Sequence, residues 1–363
     1  MPDSITFLGH SSDTTIVALE PQRLQRAKRA YTTARIDLEQ GQTLITEGIR
    51  PKAGDLVLAR IARLGHHKRI ESPHGRRGHL YVGDEVLLCF GARYASDQFE
   101  ALVPDTLEPC HMVAGGGIAA RCVNRHSATR PATEIEPIGI VADAAGRPLN
   151  LKRFAIAAEG ASVRRPHTMA VIGTSMNAGK TTTVAALVRG LTRSGLKVAV
   201  GKVTGTGAGG DRWAFVDAGA TRVLDFTDFG HASTYRVPAE ELAGLLRTMS
   251  DTLAADRPDV IVLEIADGLF FSETAKLVAH RLFADRIDDV MIAAGDAMGA
   301  EAGVRRLEAA SITPVAIAGR MTSSPLQVRE AQETVDQPIV LLNELMDGEW
   351  IPPRLRTPVQ ISA

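Results

Sequence analysis

The segment with the most chemistry in it is TMAVIGTSMNAGKTTTVAALVRGL, residues 168–191. A β-like run ends at Gly173, a short loop follows, and a helical pattern opens at Gly179-Lys180-Thr181. Phosphate binding needs this order: backbone N–H groups of a tight loop and of a helix N-terminus converge on phosphate oxygens, a lysine reaches the β- and γ-phosphates, and the next hydroxyl ligates Mg2+. Lys180 and Thr181 take the last two roles, and the phosphate cradle is Gly173, Thr174, Ser175, Met176, Asn177, Ala178 and Gly179, continuing through Lys180, Thr181 and Thr182. The loop is a variant of GxxxxGK[ST], because Thr174 stands where the first glycine belongs and Gly173 lies one residue earlier.

Downstream, DVIVLEIADG puts Glu264 at the end of an apolar run, where a carboxylate holds Mg2+ or its water shell, with Asp267 three residues on. Between these elements, VAVGKVTGTGAGGDRW ends a second β-like run at Lys202 and leads through a glycine-rich loop to Asp211. Lys202 is a candidate to neutralise charge developing in phosphoryl transfer, and Asp211 a candidate metal ligand or orienting group. DFTDFGHASTYRV then crowds Asp225, Asp228, His231, Ser233, Thr234 and Tyr235 together, with His231 a candidate general base or substrate contact. Asp296 after MIAAG and residues 320–324 after VAIAG are further strand-end positions where ligands of such a sheet bind, and Thr322–Ser324 serve either nucleotide contact or a helix cap or loop.

Gly173-Thr174, four intervening residues and Gly179-Lys180-Thr181 form a GTxxxxGKT pattern. It resembles the loop of dethiobiotin synthetase and the CobB/CobQ-type synthetases, SIMIBI-class P-loop NTPases, over roughly residues 168–345. The extra lysine of the ParA/MinD partition ATPases would fall at Thr174, which disfavours that branch. The loop is also similar to that of the P-loop family of D-glutamate N-acetyltransferases. The resemblance implies an Mg2+-dependent enzyme that uses ATP to activate a small carboxylate or amine, with Lys202, Asp211 and His231 facing the acceptor, and pairing of two α/β domains into a homodimer. Members of the resembled family read adenine with an asparagine at a late strand end; none stands there in this chain, so ATP and GTP both stay open. Two readings from other classes also stay open: a nucleotide-dependent switch or chaperone with a macromolecular partner, and an N-acyltransferase that cradles the phosphates of acetyl-CoA in the loop.

These residues need an element order to hold them. After 166 the chain alternates apolar runs (168–173, 197–203, 259–265, 289–294, 313–318, 338–342) with helical stretches such as 181–194 and 300–310. Continuous apolar runs without polar alternation suit strands buried on both faces of a parallel sheet, so the expected fold class is an α/β parallel-sheet P-loop NTPase domain. Before 165 there is a short helical pattern near 21–30, then brief β-like runs at 55–63, 78–82, 85–90 and 118–123 between turn signals. That pattern predicts a smaller β-rich domain, an OB-like barrel being the specific expectation. Charge divides the chain at the same place, with 22 basic against 18 acidic residues in 1–165 and 19 against 24 in 166–363. The expected organisation is therefore 1–165, 166–350 and a tail, 351–363.

A chain of 363 residues, 45% hydrophobic and 23% charged with net charge −1, has material for two cores and no excess charge to keep it unfolded. The balance excludes a global electrostatic case for nucleic acid or anionic membrane, and leaves only the local basic loops Gly65–Arg69 and His74–Arg77 as a nucleic-acid route. The start lacks a basic then apolar leader, and no apolar run is long enough to span a bilayer, so a cytoplasmic protein without membrane partners is expected. Cys89, Cys110 and Cys122 are odd in number and lack CxxC spacing, which predicts reduced, structural thiols.

Overall fold

The computed structural model describes residues 7–11, 14–157 and 165–355. The chain forms two compact units: Met1–Ala157 joined by two later excursions, Thr206–Gly210 and Phe226–Arg236, and a second unit made of the remaining segments. A single cut at 165 therefore does not describe the division. The first unit ends at Ala157 and takes back two pieces of chain that leave and re-enter the second. Residues 158–164 of the expected linker and 356–363 of the expected tail lie outside the described residues.

In the first unit five strands close into a ring: β1 (Leu56–Arg63), β2 (Glu85–Phe90), β3 (Cys110–Ala114), β4 (Ile118–Arg125) and β5 (Thr133–Ala142). Going round, β1 pairs β2, β2 pairs β4, β4 pairs β3, β3 pairs β5 and β5 returns to β1; only β2 and β4 run parallel. Ring closure with five strands is the barrel form, which removes free edges. Successive residues of β1 and β2 alternate between two buried clusters, Leu56, Leu58, Leu87 and Cys89 in one, Val57, Ala59, Val86 and Leu88 in the other. Both faces are covered, so the polar alternation of a half-exposed strand is missing from the sequence. The helical pattern near 21–30 is the short helix Pro21–Arg26.

The second unit carries a six-stranded parallel sheet: β6 (His167–Gly173), β7 (Val198–Lys202), β8 (Arg222–Asp225), β9 (Val260–Gly268), β10 (Asp289–Ala293) and β11 (Ala316–Ala318). The spatial order is β8-β7-β9-β6-β10-β11, which brings the ends of β7, β9 and β6 side by side. Helix α1 (Lys180–Arg193) follows β6, α2 (Gly210–Asp217) follows β7, α3 (Ala239–Ala254) leads to β9 and α4 (Ala297–Glu308) follows β10. This is the α/β parallel-sheet architecture of a P-loop NTPase, preceded by a β-rich unit. The run at 338–342, expected as a strand, makes only one isolated parallel bridge, Ile317 to Ile339, because Pro338 supplies no N–H to continue a ladder.

Candidate functional site

The loop between β6 and α1 is held from several sides. Thr174 N donates to Ala293 O of β10 at 3.0 Å, and Arg320 N donates to Ala178 O at 2.8 Å from the turn after β11. Gly179 caps α1 with φ +98°, and a Cβ there would lie 2.7 Å from Arg320 N, so the residue must lack a side chain on two counts. Gly173 is fixed by contact instead of by its dihedrals: a Cβ would lie 2.6 Å from Lys180 Nζ. Lys180 thus folds back over the start of its own loop, where Nζ donates to Ser175 O at 2.8 Å. The ammonium is buried and waits on a backbone carbonyl, a weak partner that phosphate oxygens would outbid.

Parallel register sets the carboxylates. Lys202 at the end of β7 lies opposite Glu264 of β9, and its Nζ is 3.6 Å from Glu264 Oε1 and ion-paired to Asp211 in the first turn of α2. Burial alone would lower the Lys202 pKa, but Glu264 and Asp211 outweigh it and hold the ammonium charged. Burial raises the Glu264 carboxyl, with Lys202 opposing, whereas Asp211, also penalised by burial, is pulled below its ordinary value by Lys202. The Thr181 hydroxyl lies beside both carboxylates and favours the charged form of each. Burial also lowers the Lys180 pKa, and Glu264 and Asp267 oppose it.

These residues fit Mg2+. Glu264 is 1% exposed, and its Oε2 is a buried carboxylate oxygen with no hydrogen-bond partner among the described residues. An orphaned acceptor beside Thr181 and Asp211 is what a divalent cation would satisfy. Among the described residues no group of three His, Cys, Asp or Glu forms a dedicated metal cage. A phosphate-loop Mg2+ does not need one, since phosphates and water supply most of its ligands.

Asp267 belongs with them. Pairing between β6 and β9 is regular up to Ile172 opposite Ile265, then jumps to Gly173 opposite Gly268, so Ala266 and Asp267 form a bulge beside the loop. Ala266 is clamped by Thr204 Oγ1, which accepts from its N–H at 2.8 Å, and by Thr274 Oγ1, which donates to its carbonyl at 3.0 Å. Asp267 takes φ +66°, an uncommon conformation outside glycine. Burial pushes its carboxyl up to about 6, against the pull of Lys180 and Lys202.

The remaining expected residues are placed as follows. His231 lies in Phe226–Arg236, which folds with the first unit, and its N–H donates to Phe226 O at 3.1 Å. Asp296 caps α4 by accepting from Gly299 N at 2.6 Å, and Ser324 caps the helix Pro325–Gln332. Ser324 thus takes the cap role that the sequence allowed for 322–324, and Asp296, read from the sequence as a strand-end position, also serves as a cap. His67 of the first basic loop is half-buried, and desolvation, with Arg93 and His66 adding, lowers it to about 3, so it is neutral. Cys89 and Cys110 are buried, with burial pushing both thiols up to about 12. The sequence signal for the Ala266–Asp267 bulge was the Asp-Gly pair itself, which also reads as an ordinary turn.

No protein-family model matches the chain, and no curated protein matches it. Among solved structures it is similar to the signal recognition particle receptor FtsY of Elizabethkingia anophelis, at 18% identity and a TM-score of 0.32, over 53% of this chain and 55% of that one. A GDP complex of that receptor scores 0.36 at 19% identity over 54% of this chain and 63% of that one. The signal recognition particle 54 kDa protein of Aeropyrum pernix K1 in complex with GDP also scores 0.36, at 18% identity over 51% of this chain and 44% of that one. The chain thus spans about half the length of these structures, and similarity at such scores carries nothing about activity. Among the described residues no helix is long and apolar enough to cross a membrane.

Proposed function

We propose that the second unit binds an Mg2+–nucleoside triphosphate on Gly173–Thr182 and hydrolyses its terminal phosphoanhydride. The observation that carries this is the convergence of a buried lysine, a buried orphaned carboxylate oxygen and the Thr181 hydroxyl at the mouth of a loop closed by Gly179. Bound Mg2+ would offset charge on the β- and γ-phosphates. Thr181, Glu264 and Asp211 hold it, Lys180 leaves Ser175 O for the phosphate oxygens, and Asp267 accepts the proton of the attacking water. Phosphoryl transfer asks for positioning and charge compensation more than for covalent chemistry, and no nucleophilic side chain is needed.

Activation of a small carboxylate, implied by the family resemblance, asked Lys202 to face an acceptor. Lys202 is instead enclosed by Asp211 and Glu264. The chain path favours a switch: Thr206–Gly210, which folds with the first unit, is bracketed by Lys202 and Asp211. It is anchored there by Gly209 N donating to the buried Glu71 at 3.0 Å and Gly207 N to Ala232 O at 2.9 Å. On this reading the nucleotide state at Asp211 and Lys202 is transmitted along the chain into the β-rich unit.

The test is thermal unfolding and phosphate release with Mg-ATP and Mg-GTP, for wild type and Lys180→Ala. A triphosphate at about 100 times its Kd adds about 2.7 kcal/mol of stability, which Lys180→Ala should lose together with turnover. Equal stabilisation of both proteins by the same nucleotide refutes the assignment. Hydrogen exchange across 206–210 that is indifferent to nucleotide refutes the switch alone.

A further inference from the structure

The first unit carries a concentration of positive charge that nothing in the nucleotide chemistry uses. The strands Arg69–Glu71 and Arg77–His79 form a small hairpin between β1 and β2. Its turn is tight: Ser72 N donates to Arg76 O at 2.9 Å and Gly75 N, at φ +82°, to Ser72 O at 3.0 Å, while Ile70 is buried beneath. A cavity of about 390 Å³ opens beside it, lined by Lys28, Arg29, Ser72, Arg76, His79 and Tyr81, and no acidic residue lines it. We propose that this cavity is a binding site for a small ligand bearing a phosphate group.

The charges decide the sign of the ligand. Lys28 is paired to Asp84 and donates to His79 O at 2.9 Å, so its charge is largely met. Arg29 is not neutralised in that way. Its Nη2 donates to the carbonyls of Thr33 and Ile36 at 2.8 and 3.2 Å, and its buried Nε has no hydrogen-bond partner among the described residues. Burial lowers the Arg29 pKa, the mark of a cation in need of a counter-ion. Arg76 is exposed and makes no ion pair among the described residues. Two guanidinium groups and a serine hydroxyl around one cavity match the tetrahedral oxygens of phosphate, which arginine meets with paired N–H donors.

Size decides between a small ligand and a polymer. The volume lies near the lower end of the roughly 300–1,000 Å³ typical of small-molecule sites. A single-stranded nucleic acid needs a row of aromatic platforms, and here Tyr81 stands alone with Lys28 Nζ 5.2 Å from its ring centroid.

Pyrophosphate is the probe, and the histidine ring resonances of the full-length protein are the readout, that of His79 being assigned by its loss in His79→Gln. The measurement is repeated in Lys180→Ala, so that anion uptake by the phosphate loop is not mistaken for this site. The expected result is a saturable shift of the His79 resonance that persists in Lys180→Ala, weakens roughly tenfold in Arg76→Gln and recovers in part in Arg76→Lys. A mononucleotide that shifts it more tightly than pyrophosphate identifies the phosphate as part of a nucleotide, and equal affinity identifies free phosphate species; both support the site. A resonance indifferent to pyrophosphate and mononucleotide, or unchanged affinity in Arg76→Gln, overturns the proposal. So does a shift produced only by a single-stranded oligonucleotide.

Discussion

Lys202→Met removes the cation that stands between the buried Glu264 and the half-buried Asp211 while keeping much of the side-chain volume. At the 3.6 Å separation from Glu264 and an effective dielectric of about 20, the lost attraction is about 4–5 kcal/mol. The chain can escape that cost by protonating Glu264, and this sets a ceiling that moves with pH. Holding a carboxyl of ordinary pKa about 4.3 neutral costs about 5 kcal/mol at pH 8 and about 1.6 kcal/mol at pH 5.5. Glu264 is raised by burial already, and losing Lys202 raises it further. A carboxyl raised in the folded state binds more protons folded than unfolded, so its contribution is intact at low pH and is lost as pH climbs from the ordinary value through the raised one. Lys202→Met should therefore cost about 3–5 kcal/mol at pH 8 and about 1.5 kcal/mol at pH 5.5. Urea titration without Mg2+ measures this by fluorescence, because Trp213 and Trp350, the chain's two tryptophans, both belong to the second unit. A variant equally destabilised at both pH values, or as stable as wild type at pH 8, would falsify the picture of two carboxylates held by one lysine.

Other expectations follow from single residues. Asp267→Asn should flatten the rise of hydrolysis with pH near 6 that follows ionisation of this raised carboxyl, and lower turnover at pH 8 by at least tenfold with KM little changed; an intact pH profile means that Asp267 takes no proton. Asp267→Gly, by contrast, should relieve the φ of +66° and raise unfolding stability by about 1 kcal/mol while still losing activity, as a melt and a turnover assay would show. Gly179→Ala should weaken triphosphate affinity more than Lys180→Arg does, since its Cβ would meet Arg320 N at 2.7 Å; calorimetric titration of both variants checks the order. Cys110→Ser puts a hydroxyl into an apolar core and should destabilise the first unit by about 1–3 kcal/mol, leaving nucleotide affinity unchanged.

The second unit was the legible half. Its strands are buried on both faces, so each announces itself as an unbroken apolar run, and the observed β6, β7 and β10 lie within a residue of the runs 168–173, 197–203 and 289–294. The GKT triplet locates α1 in the same local way, because the phosphate loop is built from consecutive residues. What the sequence hides is what depends on distant partners. Leu56–Arg63 was visible, yet Thr133–Ala142, the longest strand of the ring, carries Pro137 and Gly139 and two register shifts, and reads as loop until β1 and β3 are beside it. The Ala266–Asp267 bulge exists because Gly173 must meet Gly268, a pairing between residues nearly a hundred positions apart. The segment that carries His231 folds with the first unit although it lies between β8 and α3 of the second, a division that no local pattern in the sequence marks.

That same crossing of the chain bears on what hydrolysis accomplishes. A ligand shifts a conformational equilibrium only by its difference in affinity between the two states, so a nucleotide acts at a distance only through an element whose position differs with its phosphates. Asp211 is such an element on the proposed reading. It is shared between Lys202 and the Thr181 hydroxyl, and it follows directly on Gly210, the last residue of an excursion anchored at Glu71 and Ala232. Cutting the anchor without touching the loop separates chemistry from transmission. Glu71→Ala should leave triphosphate affinity within about twofold of wild type and abolish the nucleotide dependence of hydrogen exchange in 206–210. Should Glu71→Ala instead lower affinity and turnover as strongly as Lys180→Ala does, the excursion would be part of the nucleotide site itself, and the β-rich unit would be a structural support with nothing to sense.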